Sequence, residues 1–129
     1  MDQGAAEQAI DPAAIERLRK LGGPAFVAEM IDLFGQYVPG RLAAARDALK
    51  SGDLPALAKA VHPLKSSAGN VGARRMLDLA RQIEGEAASG AAAGLPALMD
   101  RLAAECEAAL RALAVARQEV AVATRGEPR

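Results

Sequence analysis

The segment LAKAVHPLKSSAGNVG, residues 57–72, decides the fold, because its apolar residues recur with the period of a helix. Its apolar residues follow one another at steps of three and four: Leu57, Val61, Leu64 and Ala68. Side chains at these steps share one face of an α-helix, where they can pack on a core. Asp53 ahead of the segment is typical of a helix N-cap, and the glycines at its end indicate a turn. The segment therefore predicts an amphipathic helix.

Similar helical patterns lie on both sides of this segment. Asp11-Pro12 is typical of a helix start, and Gly22-Gly23 ends that short helix. A longer helix follows over about residues 24–50, and Pro39-Gly40 should bend or break it. After the central segment, the pattern predicts a helix over about 71–87 and a last one from Pro96 to about Ala116.

Short connections between long amphipathic helices make neighbouring helices antiparallel. We therefore predict an all-α fold, an antiparallel up-down four-helix bundle with a short additional N-terminal helix. Residues 11–116 should form the bundle, 1–10 a flexible N-terminal tail, and 117–129 a frayed C-terminal tail.

The composition agrees with helices and excludes several classes of protein. Hydrophobic residues make up 51% of the 129 residues and aromatic residues only 2%, so alanine and leucine supply most of the apolar mass. Lys plus Arg and Asp plus Glu are both 16, and this balance argues against a nucleic-acid or membrane-surface binder. The single cysteine, the lack of a signal-peptide pattern and the lack of a long apolar run favour a cytoplasmic protein.

The predicted long helix carries a second apolar stripe beside its core stripe. This second stripe includes Met30, Leu33 and Tyr37, and it makes the apolar face unusually wide. The simpler interpretation is that all of these side chains belong to the core. The alternative is that they are partly exposed and form an apolar docking patch beside the central helix.

The central helix also carries the only histidine of the chain, His62. Lys65, Ser66 and Gly69 follow it at i+3, i+4 and i+7, so the four residues share one face. A histidine is largely neutral at pH 7 and therefore nucleophilic, and a lysine one turn away can offset the charge of a phosphoryl group. Small neighbours would let another protein approach closely. On spacing alone, a boundary histidine without a chemical role is the more common case.

The stretch HPLKSSAGNVGA, residues 62–73, resembles the centre of the histidine-containing phosphotransfer (HPt) domain family, and the resemblance extends over about residues 11–115. The family motif reads roughly His-x-Leu-Lys, then small residues, then Gly-Ala. The resemblance implies that His62 is the phosphoacceptor and that Lys65 stabilises the phosphoryl group.

The resemblance also assigns supporting roles. Ser66 and Ser67 occupy the small or hydroxyl positions, Gly69 keeps the docking surface open, and Gly72 allows tight packing into the next helix. Glu84 stands where many members have Gln or Glu and would support the histidine ring. A carboxylate at this place would, however, sit poorly beside a phosphate.

Pro63, directly after His62, departs from the usual pattern. Proline removes a backbone donor and clashes one turn back, near Lys59, at a cost of roughly 3 kcal/mol in a regular helix. We therefore expect a local kink that affects the orientation of His62.

The resemblance implies a phosphorelay intermediate of a two-component system. It would accept a phosphoryl group on His62 from the aspartyl phosphate of one response-regulator receiver domain and pass it to another, in a relay fed by a hybrid sensor histidine kinase. We expect a monomer with no metal or other cofactor of its own, the Mg²⁺ being supplied by the receiver. No ATP-binding motif is present, so we expect no enzyme with its own ATP site. The alternatives are a dimerisation module related to histidine kinases and a helical adaptor in which His62 is incidental.

Overall fold

The computed structural model describes residues 9–124, which form four helices and no strand. The helices are α1 (Pro12–Lys50), α2 (Leu54–Val71), α3 (Arg74–Ser89) and α4 (Leu95–Thr124). Each helix packs on the next one along the chain, and α4 packs back on α1. This closed ring of neighbours with short connections is the predicted up-down four-helix bundle.

Helix α1 contains the predicted short N-terminal helix as its first part. The Asp11 carboxylate caps it by accepting from the Ala13 N–H at 2.9 Å. Gly23 has φ 81° and ψ −177°, so the chain leaves the helical conformation there and a second helical part begins at Pro24. Leu21, beside this break, is 78% exposed and not part of the core.

The same helix is not broken at Pro39-Gly40, where the sequence predicted a bend or a break. Pro39 has no backbone N–H, so the carbonyl of Gly35 loses the hydrogen bond that it would accept in a regular helix. Gly35, Pro39 and Gly40 are all exposed, so solvent can bond the released carbonyl. The expectation of a break is therefore wrong.

The ends of the bundle extend beyond the predicted boundaries. Ala9 and Ile10, assigned to the flexible tail, are buried. Helix α4 continues to Thr124 instead of ending near Ala116. Arg117 explains part of this extension, because its guanidinium donates to both carboxylate oxygens of Asp32 on α1, at 2.7 and 2.8 Å. Residues 1–8 and 125–129 of the two predicted tails lie outside the described residues.

The core consists of the apolar stripes that the sequence predicts. All four stripe residues of α2 are buried, and the stripes of the other helices meet them. The largest side chains with almost no exposed surface lie on α2, α3 and α4: Leu57, Leu64, Met76, Ile83, Leu95, Met99, Leu102 and Leu113. Each such side chain contributes roughly 1.5–3 kcal/mol through burial. No polar side chain among the described residues is buried, so the polar chemistry of the described region is on its surface.

The junction between α2 and α3 packs against the start of α1. Helix α2 includes Val71, where the sequence predicted the next helix to begin, and ends in a left-handed cap at Gly72 with φ 74° and ψ 25°. The Gly72 carbonyl accepts from the Asp11 N–H at 2.8 Å. A Cβ on Gly72 would lie 2.7 Å from the Cβ of Ala14 and 2.9 Å from Asp11. The close approach is therefore to the start of α1.

We expect Gly72→Ala to lower the free energy of unfolding by about 1–3 kcal/mol through backbone strain, and by more where the added Cβ collides with α1. Urea denaturation measures this change. Gly69→Ala is the matched control, because nothing lies within 4 Å of its added Cβ and its backbone is helical. That control should be neutral or more stable by about 0.5–1 kcal/mol. Equal effects of the two substitutions would contradict the role given to Gly72.

Candidate functional site

His62 lies on the solvent side of α2, directly after the buried Val61. Its side chain is 66% exposed, so another macromolecule can reach the ring. Ser66 and Gly69, predicted on the same face, are also exposed, and Lys65 is half-buried. The face that the sequence predicted is thus an accessible surface of the bundle.

Glu84 on α3 is hydrogen-bonded to one ring nitrogen of His62. Its Oε2 lies 2.6 Å from His62 Nδ1. An ionised carboxylate can only accept, so Nδ1 carries the proton and donates it to Glu84. In the neutral ring, Nε2 then has no proton and presents a lone pair. The contact therefore selects the tautomer in which Nε2 is the nucleophilic atom.

Lys65 holds the same carboxylate from the other side. Its Nζ lies 2.5 Å from Glu84 Oε1, so one side chain of α3 bridges the two central residues of α2. The hydrogen bond from Lys65 is the main cause that lowers the pKa of Glu84 below its ordinary value, and the bond from His62 acts in the same direction. Partial burial raises the pKa of Glu84, but the net effect of these contacts is to lower it. Glu84 is therefore ionised at neutral pH, as the assignment of the tautomer requires.

The sequence prediction named the contact between Glu84 and His62 but missed the one between Glu84 and Lys65. The second contact answers part of the concern about a carboxylate near a phosphate. Glu84 faces Nδ1, and its charge is shared with an ammonium group. Lys65 keeps two further N–H donors, which can turn to another anion.

Pro63 lies inside α2 without ending it, since the helix runs from Leu54 to Val71. The donor that Pro63 lacks is supplied from α1, by Arg41. The Arg41 guanidinium donates to the carbonyl of Lys59 at 3.0 Å and to that of Ala60 at 3.2 Å. The sequence prediction located the disturbance at Lys59 but did not identify Arg41, which no local pattern connects to this turn.

The small residues after Lys65 project little from the surface beside His62. Ser66 is exposed, and the Ser67 hydroxyl donates to the Pro63 carbonyl at 3.3 Å. A Cβ on Gly69 would meet nothing within 4 Å, so this position faces open space. A partner surface would meet little obstruction along this face.

The second apolar stripe of α1 is only partly core. Leu33 is 49% and Tyr37 45% exposed, whereas Met30 is half-buried against the core. Together with Ser67 and Asn70 of α2 they line a shallow groove of about 270 Å³. The interpretation of the whole stripe as core is therefore wrong for Leu33 and Tyr37. The structure has the partial exposure that the docking alternative requires, beside the helix that carries His62.

Other candidate chemistry is weak in the described part of the chain. Burial raises the pKa of the Cys106 thiol to about 12, so this side chain is not a ready nucleophile. Residues 9–124 contain no cluster of histidine, cysteine or carboxylate side chains that could hold a metal ion. No helix among these residues is long and apolar enough to cross a membrane.

The ionised Glu84 should make stability depend on pH. A carboxyl group with a lowered folded pKa contributes stability that is fully present above its unfolded pKa, ordinarily 4.5, and is lost as pH falls through the folded value. We expect wild-type protein to lose more of its free energy of unfolding than Glu84→Gln between about pH 7 and about pH 3. Urea denaturation at both values measures the difference. Glu107→Gln, which removes an exposed carboxylate of α4, is the control and should behave as the wild type. Identical losses in all three proteins would contradict the bridge.

Comparisons with known proteins identify the fold and the family of this chain. The crystal structure of histidine-containing phosphotransfer protein B (HptB) from Pseudomonas aeruginosa PAO1 superimposes with a TM-score of 0.81 at 24% sequence identity, over 85% of this chain and 95% of that one. This likeness shows the shared helical fold. No curated protein matches the chain.

The family model described as Hpt domain matches residues 29–114, more than half of the chain. Hpt domains are phosphotransfer relay modules that work with receiver domains and kinases. The matched range includes α2 and α3, and with them the histidine, the lysine and the bridging carboxylate. The chain belongs to the Hpt domain family and is a histidine phosphotransfer relay protein of two-component signalling.

Proposed function

We propose that His62 is the phosphoacceptor and that Nε2 is the atom that takes the phosphoryl group. The Nε2 lone pair attacks the phosphorus of an aspartyl phosphate on a receiver domain. The N–P bond forms while the P–O bond to the aspartate breaks, and the aspartate leaves with the bonding electron pair as a free carboxylate. The reverse sequence on a second receiver returns His62 to its neutral form. The observation that carries this proposal is the 2.6 Å contact that commits Nδ1 to Glu84.

Glu84 and Lys65 act on the charges that this step creates. Bond formation at Nε2 makes the ring cationic, and the carboxylate on the Nδ1 side stabilises that charge through the shared proton. The Lys65 ammonium can offset the negative phosphoryl oxygens with the donors that Glu84 leaves free. The supporting part assigned to Ser66, Ser67 and Gly69 is to keep the approach to His62 unobstructed, which the small size of all three and the exposure of Ser66 and Gly69 favour.

The partners of this site are response-regulator receiver domains in a relay fed by a hybrid sensor histidine kinase. The receiver supplies the phosphorylated aspartate and the Mg²⁺, while this chain supplies the nucleophile, the lysine and the docking surface. It acts as a cytoplasmic monomer without an ATP site of its own and binds neither nucleic acid nor membrane. The described residues close a four-helix bundle within one chain, which argues against a dimerisation helix pair that needs a second copy.

The direct test is the transfer of labelled phosphoryl groups from a panel of phosphorylated receiver domains. We expect acid-labile, base-stable label on the wild type and none on His62→Gln, whose helical circular dichroism should be unchanged. Label that survives this substitution would remove His62 as the acceptor. A folded wild-type protein that takes no label from any competent donor would favour the adaptor alternative.

Lys65→Ala should slow the transfer by about 10–100-fold, the scale of losing one charged stabiliser. Rapid-quench kinetics with one receiver at saturating concentration measure the rate. Lys50→Ala is the control, since it removes an exposed lysine at the C-terminal end of α1. If Lys65→Ala transfers as fast as Lys50→Ala and the wild type, Lys65 is only a surface charge.

Tyr37→Ala should weaken receiver binding by about tenfold, because exposed aromatic side chains commonly anchor interfaces. Titration calorimetry with an unphosphorylated receiver measures the Kd. Leu21→Ala is the control, since Leu21 is more exposed than Tyr37 but lies at the start of α1, outside the groove. Equal affinities for the wild type and Tyr37→Ala would exclude the groove as the docking patch.

A further inference from the structure

The turn of α2 that carries His62 has a defect that the rest of the helix lacks. In a regular helix the N–H of residue 63 would donate to the carbonyl of Lys59, and proline has no N–H. The pyrrolidine ring would also clash with this carbonyl in a regular helix. His62 lies between these two residues, so the defect lies within the backbone turn that positions the nucleophile.

Arg41 of α1 is placed to repair this defect. Its Nη2 donates to the Lys59 carbonyl at 3.0 Å, and its Nε donates to the Ala60 carbonyl at 3.2 Å. A guanidinium has its donors in a fixed fork, so one side chain can bond two successive carbonyls. Bonds to a charged donor are stronger than bonds between neutral groups. The contact also ties α1 to α2, across 18 and 19 residues of sequence.

We infer that Arg41 is a positioning residue for His62: its guanidinium replaces the backbone donor that Pro63 removes and so holds the turn that carries the imidazole. Glu84 restrains the ring at Nδ1, and Arg41 restrains the backbone from which the ring extends. With both ends held, Nε2 keeps one direction towards an incoming phosphoryl group. The kinetic part of this inference rests on the proposed function of His62, and the structural part does not.

The effect of removing Arg41 should depend on whether residue 63 is proline. In Pro63→Ala the backbone N–H returns and can bond the Lys59 carbonyl, so Arg41 is no longer needed there. The loss of Arg41 should therefore matter when residue 63 is proline and matter little when it is alanine. A side chain that merely fastened α1 to α2 would be needed equally in both backgrounds.

The structural part is tested by a double-mutant cycle of urea denaturation on the wild type, Arg41→Ala, Pro63→Ala and the double variant. We expect the unfolding equilibrium constant to rise about tenfold for Arg41→Ala in the proline background, and no more than about twofold in the alanine background. Equal changes in the two backgrounds would overturn the inference, whether or not the protein takes phosphate.

The kinetic part is tested on the same four proteins with a phosphorylated receiver at varied concentration. We expect Arg41→Ala to lower the maximal transfer rate by about tenfold, below the ~100-fold that a 1 Å misplacement can cause. The half-saturating receiver concentration should not change, because docking is intact. Pro63→Ala in the Arg41→Ala background should restore the rate. A loss confined to the half-saturating concentration, or a loss that Pro63→Ala does not rescue, would overturn the positioning role.

Arg46→Ala is the matched control for both experiments. Arg46 lies on the same helix as Arg41 but faces Asp100 of α4, at 3.8 Å. Its removal should change neither the unfolding cycle nor the transfer rate by more than about twofold, as for an exposed ion pair. If Arg46→Ala slows transfer as much as Arg41→Ala, the effect belongs to surface charge and the inference fails.

Discussion

The carboxylate of Glu84 is the group on which the proposed chemistry of His62 depends. One oxygen accepts from His62 Nδ1 at 2.6 Å and the other lies 2.5 Å from Lys65 Nζ, so a side chain of α3 organises two side chains of α2. An imidazole alone on a helix would exchange tautomers and rotate freely. Bonded to a carboxylate that stays ionised, it has one tautomer, in which Nε2 carries the lone pair. In the proposed function, this bridge makes an exposed histidine a directed nucleophile.

This bridge requires that α2 and α3 face each other in a definite register. The left-handed cap at Gly72 turns the chain from α2 into α3, and a larger residue there would collide with Asp11 and Ala14 at the start of α1. The buried stripes of the four helices then hold the packing, and the polar groups of the described region are left on its surface. The core therefore contributes to function by holding the geometry of the surface.

The sequence predicts what depends on local spacing and misses what depends on distant contacts. The stripes of α2, the caps at Asp11 and Asp53 and the face of His62 follow from neighbouring residues, and the structure contains them. The continuation of α4 beyond Ala116 could not be predicted, because the contact between Arg117 and Asp32 joins residues 85 positions apart. The contact of Arg41 with α2 could not be predicted for the same reason, because it joins residues 18 and 19 positions apart. Pro63 indicated that a carbonyl needed a donor, but only the packing of α1 on α2 shows which side chain supplies it.

The most direct test of the account is the identity of the nitrogen that carries phosphate. Two-dimensional long-range ¹H–¹⁵N spectra of the ¹⁵N-labelled protein, recorded before and after phosphorylation by a receiver, distinguish the two ring nitrogens and show ³¹P coupling at the modified one. We expect a protonated Nδ1 in the free protein and phosphorus on Nε2 of His62 after transfer. Phosphorus on Nδ1, or a free ring protonated at Nε2, would contradict the central role of Glu84.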